Sequence, residues 1–480
     1  MNKTILDKLP HNTWRLPKRE SMRVDAIVYA DETLLDEMEE GIIRQLTDVA
    51  NLPGVAGPVY AMPDAHVGYG FPIGGVAAMD ERKGGVVSAG GVGFDIACGV
   101  RALITGIHVD DIRPQREKLA RQLALAVPAG LGSGGRMRLN NSELDHMLAR
   151  GAAWAVDQGN GKRQDLQRME SRGTFGLADP DAVSAKAKDR MRDEMGSLGS
   201  GNHYLEVQVV DEIYDEPAAN AFDLRRGDCV VAIHCGSRGL GHQVATDYSR
   251  EMLDASKGHK LRLPSKELAC APIASKLGQR YLAAHDAAAN CALANRQVLT
   301  HGVRQVFAAL FGPGVSLPLL YDVCHNTCRA EDHPIPGVNN TTRRLHVHRK
   351  GATRALPPKH PDLPPELAPY GQPVLIGGSM GTASYVLAGV PGSLSASYAS
   401  ACHGAGRILS RSAAKKRYSG REVLRKLHEQ GIEAVAASAK SAAEEAPGAY
   451  KDVDRVVAVT HAAGLARPVA RLMPVVSIKG

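Results

Sequence analysis

Twelve residues, GGVGFDIACGVR at Gly90–Arg101, constrain this chain more than any other stretch. Glycines at Gly90, Gly91, Gly93 and Gly99 surround Asp95 and Cys98, which stand three residues apart. Glycine lets the backbone turn tightly and lets a ligand approach the main chain. A carboxylate and a thiol offer one hard and one soft donor, a mixture suited to Mn, Fe, Co or Zn rather than Ca or Mg. Two side chains do not hold a metal, so further donors must come from elsewhere in the chain. Taken alone, the loop is equally a tight turn carrying a surface aspartate and a buried free cysteine.

The histidines that could complete it sit at strand ends. In GSLGSGNHYLEVQVV (196–210), Gly196, Gly199 and Gly201 form a loop whose backbone N–H groups suit a phosphate. His203 stands where that loop meets a strand in which Leu205, Val207 and Val209 alternate with Glu206 and Gln208. The Rossmann form of a glycine motif needs a strand before it and a helix after it, and here the order is reversed. DCVVAIHCGSRGLGHQV (228–244) reads as a buried strand ending at His234, a glycine loop with Ser237 and Arg238, and a helix. SLPLLYDVCHNTCR (316–329) reads as a strand ending at His325, followed by Asn326. Rigid strand termini commonly carry sites in folds that mix helix and sheet.

Elsewhere the pattern predicts helices over 32–50, 113–127, 142–157, 180–195 and 273–310, the last an Ala/Leu-rich packing element. Asp64 and His66 lie in a loop of PVYAMPDAHVGYGFPIGG. His346 and His348 would share one face of a strand, but Arg344, Arg349, Lys350 and Arg354 make that segment an anion-binding surface. There is no long polar linker and no internal repeat, so the expectation is one α+β domain over 1–480, of mixed sheets with surrounding helices. With 58 basic and 51 acidic residues, the net charge of +7 permits a polyanionic partner without requiring one. Aromatic residues make up only 4%, which argues against an RNA binder built on exposed stacking rings. Eight cysteines without a CxxC pair, and no signal core or membrane-length apolar run, predict a reduced cytoplasmic protein without a membrane partner.

The last third carries two more glycine loops, VLIGGSMGTASYVLAG (374–389) and SYASACHGAGRILSRSAAKK (397–416). His403 in the second is expected just before a basic helix with Arg407, Arg411, Lys415 and Lys416, a place suited to meeting phosphate. A histidine can also be the nucleophile on that phosphate. There is no Walker A string and no Asp-Gly dipeptide, so the Lys-x-Asp-Gly nucleophile of ordinary nucleotidyl-transferring ligases is absent.

The motifs PDAHVGYGFPIGG, GGVGFDIACGVR, LGSGNHYLE, HCGSRGLG, VCHNTC, VHRKGAT, GSMGTASYV, SACHGAGR, AYKDVD and the terminal VVSIKG together resemble the RtcB family of RNA-splicing ligases, in the family's order from about residue 60 to the end. The resemblance implies a GTP- and Mn²⁺-dependent ligase with the family's α+β fold, joining an RNA 2′,3′-cyclic phosphate or 3′-phosphate end to a 5′-hydroxyl end. It implies two Mn²⁺ ions on Asp95, Cys98, His203, His234 and His325, with Cys98 bridging, and a guanylylated nucleophile at His403 paired with Asp64. Guanosine nucleotide contacts would fall on Asn202, His203, Tyr204, Leu205, Glu206, His325, Asn326, Gly377, Gly378, Ser379, Met380, Ser384, Gly404, Ala405, Gly406 and Lys479, with Tyr450 stacked on the guanine. An archease-type helper is the protein partner it raises. Cys324 and Cys328 depart from the family pattern beside His325, an expected source of sensitivity to oxidation. Two other classes compete: a metal-dependent phosphodiesterase or phosphatase would use the metals but not His403, and a non-catalytic RNA-binding module would use only the basic residues.

Overall fold

The structure, a computed structural model, describes residues 3–130, 132, 134–259, 261–334 and 342–480. Its apolar strands gather into two large sheets and two small ones, with helices packed around them. The eight-stranded sheet runs Leu319–Cys324, Gly99–His108, Asp228–Cys235, Tyr204–Ile213, Ala466–Lys479, Ser384–Gly389, Pro373–Ile376, and Glu433–Ala436 adds to the long Ala466–Lys479 strand in parallel. The seven-stranded sheet runs Asp7–Leu9, Thr13–Leu16, Ala26–Tyr29, Val59–His66, Ile73–Met79, Thr342–Lys350, Asn326–Pro334. Short pairs join Val86–Ser88 to Cys270–Pro272 and Ala352–Arg354 to Ser400–Cys402.

The register of the larger sheet creates the site. Gly99 faces both Cys324 and Cys235, while His234 faces Tyr204 and Lys479 faces Tyr204 from the other side. Adjacent strands here are antiparallel, so two strand starts and three strand ends lie along one edge. Cys98, His203, His234, His325 and Lys479 are thereby neighbours although they stand in or beside the ends of five different strands. His325 is also the one residue between a strand of each large sheet, so its backbone turns as the chain changes sheets.

The strand beginning at Tyr204 differs from its sequence pattern. Alternation predicts one wet face, yet Glu206 and Gln208 are buried as fully as Leu205 and Val207. A central strand covered on both faces can hold such side chains only if they are hydrogen-bonded. Gln208 Nε2 donates to Glu206 Oε2 and to Ser384 Oγ, and Ser477 Oγ donates to Glu206 Oε1.

Helix positions hold better than helix lengths. The segment 32–50 forms two helices, Glu32–Glu37 and Gly41–Ala50, because Met38 turns extended and Glu39 is spent accepting the Val67 N–H. Gly151, at φ 57°, splits 142–157 into Asn141–Arg150 and Ala152–Asp157, and a Cβ there would strike the Gly173 carbonyl. Within 180–195 the α-helix covers only Ala185–Met191. The long helix Lys276–Phe311 is capped by Ser275 and runs 36 residues. It is buried on nearly every side and carries Asn290, Asn295, Arg296, Gln297, Thr300 and Arg304 into the core. None of the described helices is long and apolar enough to cross a membrane.

Candidate active site

The glycine-rich loop ahead of Cys98 is shaped by its neighbours. Ala97 adopts φ 51°, and its N–H donates to the Asn326 carbonyl while the His325 N–H donates to the Cys98 carbonyl. Asn326 Nδ2 donates to the Asp95 carbonyl, and its Oδ1 accepts the Gly351 N–H. The Asp95 carboxylate accepts from Ser237 N and Oγ, in the turn before helix Arg238–Ala255. Gly236 must be glycine, since a Cβ there would lie 2.2 Å from Asp95 Oδ1.

Cys98 is the hub. Its Sγ lies 3.3 Å from His203 Nε2 and 3.2 Å from His234 Nε2. His203 Nε2 is 2.8 Å from Asp95 Oδ2, and His234 Nε2 is 3.1 Å from His325 Nε2. Two donor triads result, Asp95/Cys98/His203 and Cys98/His234/His325, each with its ligand atoms within 4.8 Å of one another. Nδ1 of His203 donates to the Leu198 carbonyl and Nδ1 of His234 to the Asn202 carbonyl, so both Nε2 lone pairs point at the thiol.

The donor chemistry fits bound cations. One thiol proton cannot satisfy two facing imidazole lone pairs. Burial and the adjoining imidazoles hold His234 and His325 far below the ordinary histidine range, so their rings are neutral donors. Burial and the Asp95 charge push the Cys98 thiol well up, and a cation in contact is what would make it a thiolate.

Beside this cluster, the His403 ring lies 4.7 Å from that of His325, centroid to centroid. His403 Nδ1 is 2.7 Å from Asp64 Oδ2, leaving Nε2 as the available ring nitrogen. The expected helix N-terminus is not there. His403 follows the strand Ser400–Cys402, and the basic helix begins only at Arg411, capped by Ser410. Aspartate, not a helix end, is what orients the imidazole.

A cleft of about 370 Å³ opens onto these groups. Asn202, Tyr204, Asn326, Gly377, Gly378, Gly404, Ala405, Gly406, Tyr450 and Lys479 line it together with Asp95, Cys98, His234, His325 and His403. Lys479 Nζ stands 5.0 Å over the Tyr204 ring, and the Arg407 guanidinium 4.8 Å over the Tyr450 ring. Leu205, Glu206, Ser379, Met380 and Ser384 stand behind that lining. Met380 packs with Val423, Leu427, Ile432 and Ala446, and Ser384 Oγ accepts the Gly378 N–H from beneath.

These strings of residues are also found together elsewhere. The family model described as tRNA-splicing ligase RtcB matches residues 45–480. The chain belongs to the RtcB family. A tRNA-splicing ligase RtcB of Thermococcus kodakarensis is 50% identical over 480 residues, 99% of each chain. One of Archaeoglobus fulgidus is 47% identical, again over 99% of both. An RNA-splicing ligase RtcB of Mycobacterium tuberculosis is 50% identical over 438 residues, which is 91% of this chain and all of that one.

Other expectations within this RtcB-family chain change on folding. Arg349 and Arg354 do not form an anion-binding surface, because both are buried on Glu331. Arg344 pairs with Asp332 at the surface, and only Lys350 reaches the cleft, its Nζ donating to the carbonyls of Tyr69 and Gly90. His346 and His348 join no candidate metal group among the described residues, and His348 Nε2 accepts the Ser88 N–H. The Gly196 N–H is taken by Asn295 Oδ1, and Gly199 and Gly201 let the Arg238 and Arg411 guanidinium groups approach the loop closely. Cys324 and Cys328 are buried, and burial pushes Cys324 up to about 12, which leaves neither with the exposed thiolate that oxidation needs.

The packing helix proves to be a brace. Arg296 Nη1 donates to the carbonyls of Ala97 and Cys235, and Nε and Nη2 engage Asp322. One guanidinium thus ties together the segments bearing Cys98, His234 and His325. Arg101, on the same Asp322, continues the network to Gln297 and Thr300. An arginine on an Ala-rich helix gives no sequence signal beyond its mismatch with an apolar neighbourhood.

Proposed function

We propose that this chain is a GTP- and Mn²⁺-dependent RNA ligase that joins a 2′,3′-cyclic phosphate or 3′-phosphate end to a 5′-hydroxyl end through a His403–GMP intermediate. The observation that carries the reading is an imidazole held by a buried carboxylate directly beside a double metal-donor cluster. A phosphodiesterase would need the cluster and would leave the Asp64–His403 pair without a task. The relatives named as RNA ligases support the choice of RNA.

Nε2 of His403 attacks the α-phosphate of GTP, consumed as a cosubstrate; a P–N bond forms and the bond to pyrophosphate breaks. Asp64 keeps the ring proton on Nδ1, so the Nε2 lone pair faces phosphorus, and stabilises the positive charge that develops on the ring. The Asp95/Cys98/His203 and Cys98/His234/His325 sets would hold two Mn²⁺ ions, which supply positive charge beside the reacting phosphates. Lys479, Arg407 and Arg411 add fixed positive charge around the cleft. A 2′,3′-cyclic phosphate is first opened by water, which breaks the bond to O2′ and leaves a 3′-phosphate; GMP then passes from His403 to that 3′-phosphate, and the 5′-hydroxyl attacks the activated phosphate and expels GMP. Tyr450 and Tyr204 offer flat faces for the guanine. All eight cysteines are free and buried, which suits work in the cytoplasm.

The test is joining with defined ends. RNA labelled in its 3′-phosphate, mixed with a 5′-hydroxyl RNA, GTP and Mn²⁺, is expected to keep the label inside the joined product. A 3′-hydroxyl donor with a 5′-phosphate acceptor is expected not to react. Label released to solvent would overturn the reading.

A further inference from the structure

Few aromatic residues are present, yet two of them sit together at one rim of the cleft, with an imidazole packed against the second. Tyr69 and Phe94 both line it, and Tyr69 is 40% exposed, unusual among the large side chains here. Their ring centroids are 5.3 Å apart in an edge contact, and Phe94 stacks on His242 at 5.0 Å with 28° between planes. Phe94 directly precedes Asp95, so the aromatic face begins one residue from the metal-donor cluster.

The rim is built rather than loose. Lys350 Nζ donates to the Tyr69 carbonyl at 2.7 Å, and Glu267 Oε2 accepts the Gly70 N–H at 2.7 Å. Both bonds use main-chain atoms, so they fix the loop without engaging the Tyr69 ring. Lys350 continues into Gly351, whose Cα region lies against His403. The exposed ring, the metal donors and His403 therefore share one short path.

We propose that Tyr69, backed by Phe94 and His242, is a stacking platform for an unpaired nucleobase of the RNA at the joint. The proposal rests on the ligase reading. Bases of single-stranded RNA are recognised by stacking on such rings, at a strength that tolerates any base. The low aromatic content is no obstacle, since one platform needs one exposed face. The base comes from the 3′-phosphate end or the 5′-hydroxyl end.

The experiment places 2-aminopurine at the terminal nucleotide of one RNA or the other and follows its fluorescence on mixing with the Mn²⁺-loaded enzyme, beside ligation of the same strands. Quenching is expected for one of the two positions, lost in Tyr69→Ala and kept in Tyr69→Trp. Replacing that nucleotide by an abasic one is expected to raise its KM by about 10- to 100-fold in the native enzyme. The same replacement is expected to cost little more in Tyr69→Ala. Quenching that depends on Tyr69 without ligation would keep the platform and overturn the ligase reading. Ligation with no Tyr69-dependent quenching at either end, or additive losses from the two changes, would overturn the platform.

Discussion

His403 Nδ1 and Asp64 Oδ2 meet at 2.7 Å across 339 residues of sequence. The same oxygen accepts the N–H groups of His403 and Gly404, so one carboxylate fixes the ring, its backbone and the turn that follows. Asp64 Oδ1 is buried with no hydrogen-bond partner among the described residues, an expensive arrangement retained where orientation matters. Asp64→Asn keeps the shape and removes the charge. Covalent labelling by GTP is expected to slow by about 10²- to 10⁴-fold in that variant, measured as the rate of acid-labile GMP attachment. Unchanged labelling would show that the carboxylate only anchors the loop.

Cys98 belongs to both donor triads, whereas Asp95 belongs to one. Cys98→Ala is expected to abolish both Mn²⁺ sites in calorimetric titration, and Asp95→Ala to weaken chiefly one. Two intact sites without the thiol would rule out the shared role. Zn²⁺ is expected to displace Mn²⁺ from these sites by the usual affinity order.

Arg296 and Asp322 are both wholly buried, and their pair sits behind the ligand loops. Arg296→Met leaves Asp322 with Arg101 alone and frees two carbonyls. Such a break is expected to cost about 3–5 kcal/mol of stability, read by denaturant titration. Conservative Arg296→Lys cannot reproduce the fork and is expected to fold while weakening metal binding. Native metal affinity in the lysine variant would limit Arg296 to a role in stability.

Burial holds two histidines outside the metal cluster neutral: His348 is lowered to about 3 and His66 to about 4. Both folded values lie below the unfolded one of 6.5. As pH falls through 6.5 the unfolded chain takes up protons that the folded one refuses, so stability declines from there towards pH 4. Each group contributes a slope of at most about 1.4 kcal/mol per pH unit. His348→Gln is expected to flatten the decline, measured as unfolding free energy between pH 7 and pH 5. An unchanged slope would mean that His348 is protonated in the folded state.

The sequence by itself determined which residues are candidates to carry chemistry. Asp95, Cys98, His203, His234, His325 and His403 stand in glycine loops or at the ends of apolar strands, and both signals are local, because glycine content and apolar runs act over a few residues. Only the tertiary structure decided how they meet. The antiparallel register that aligns Gly99 with Cys235 and Cys324 involves residues more than a hundred positions apart, and no local pattern encodes it. Separation in sequence also hid Arg296, whose value lies in carbonyls contributed by Ala97 and Cys235. Arg349 and Arg354 read as surface cations for a different reason: their partner Glu331 is close in sequence but becomes buried with both only in the fold. A charged side chain announces its type in sequence, but whether it meets solvent, ligand or a buried partner depends on what the fold packs against it.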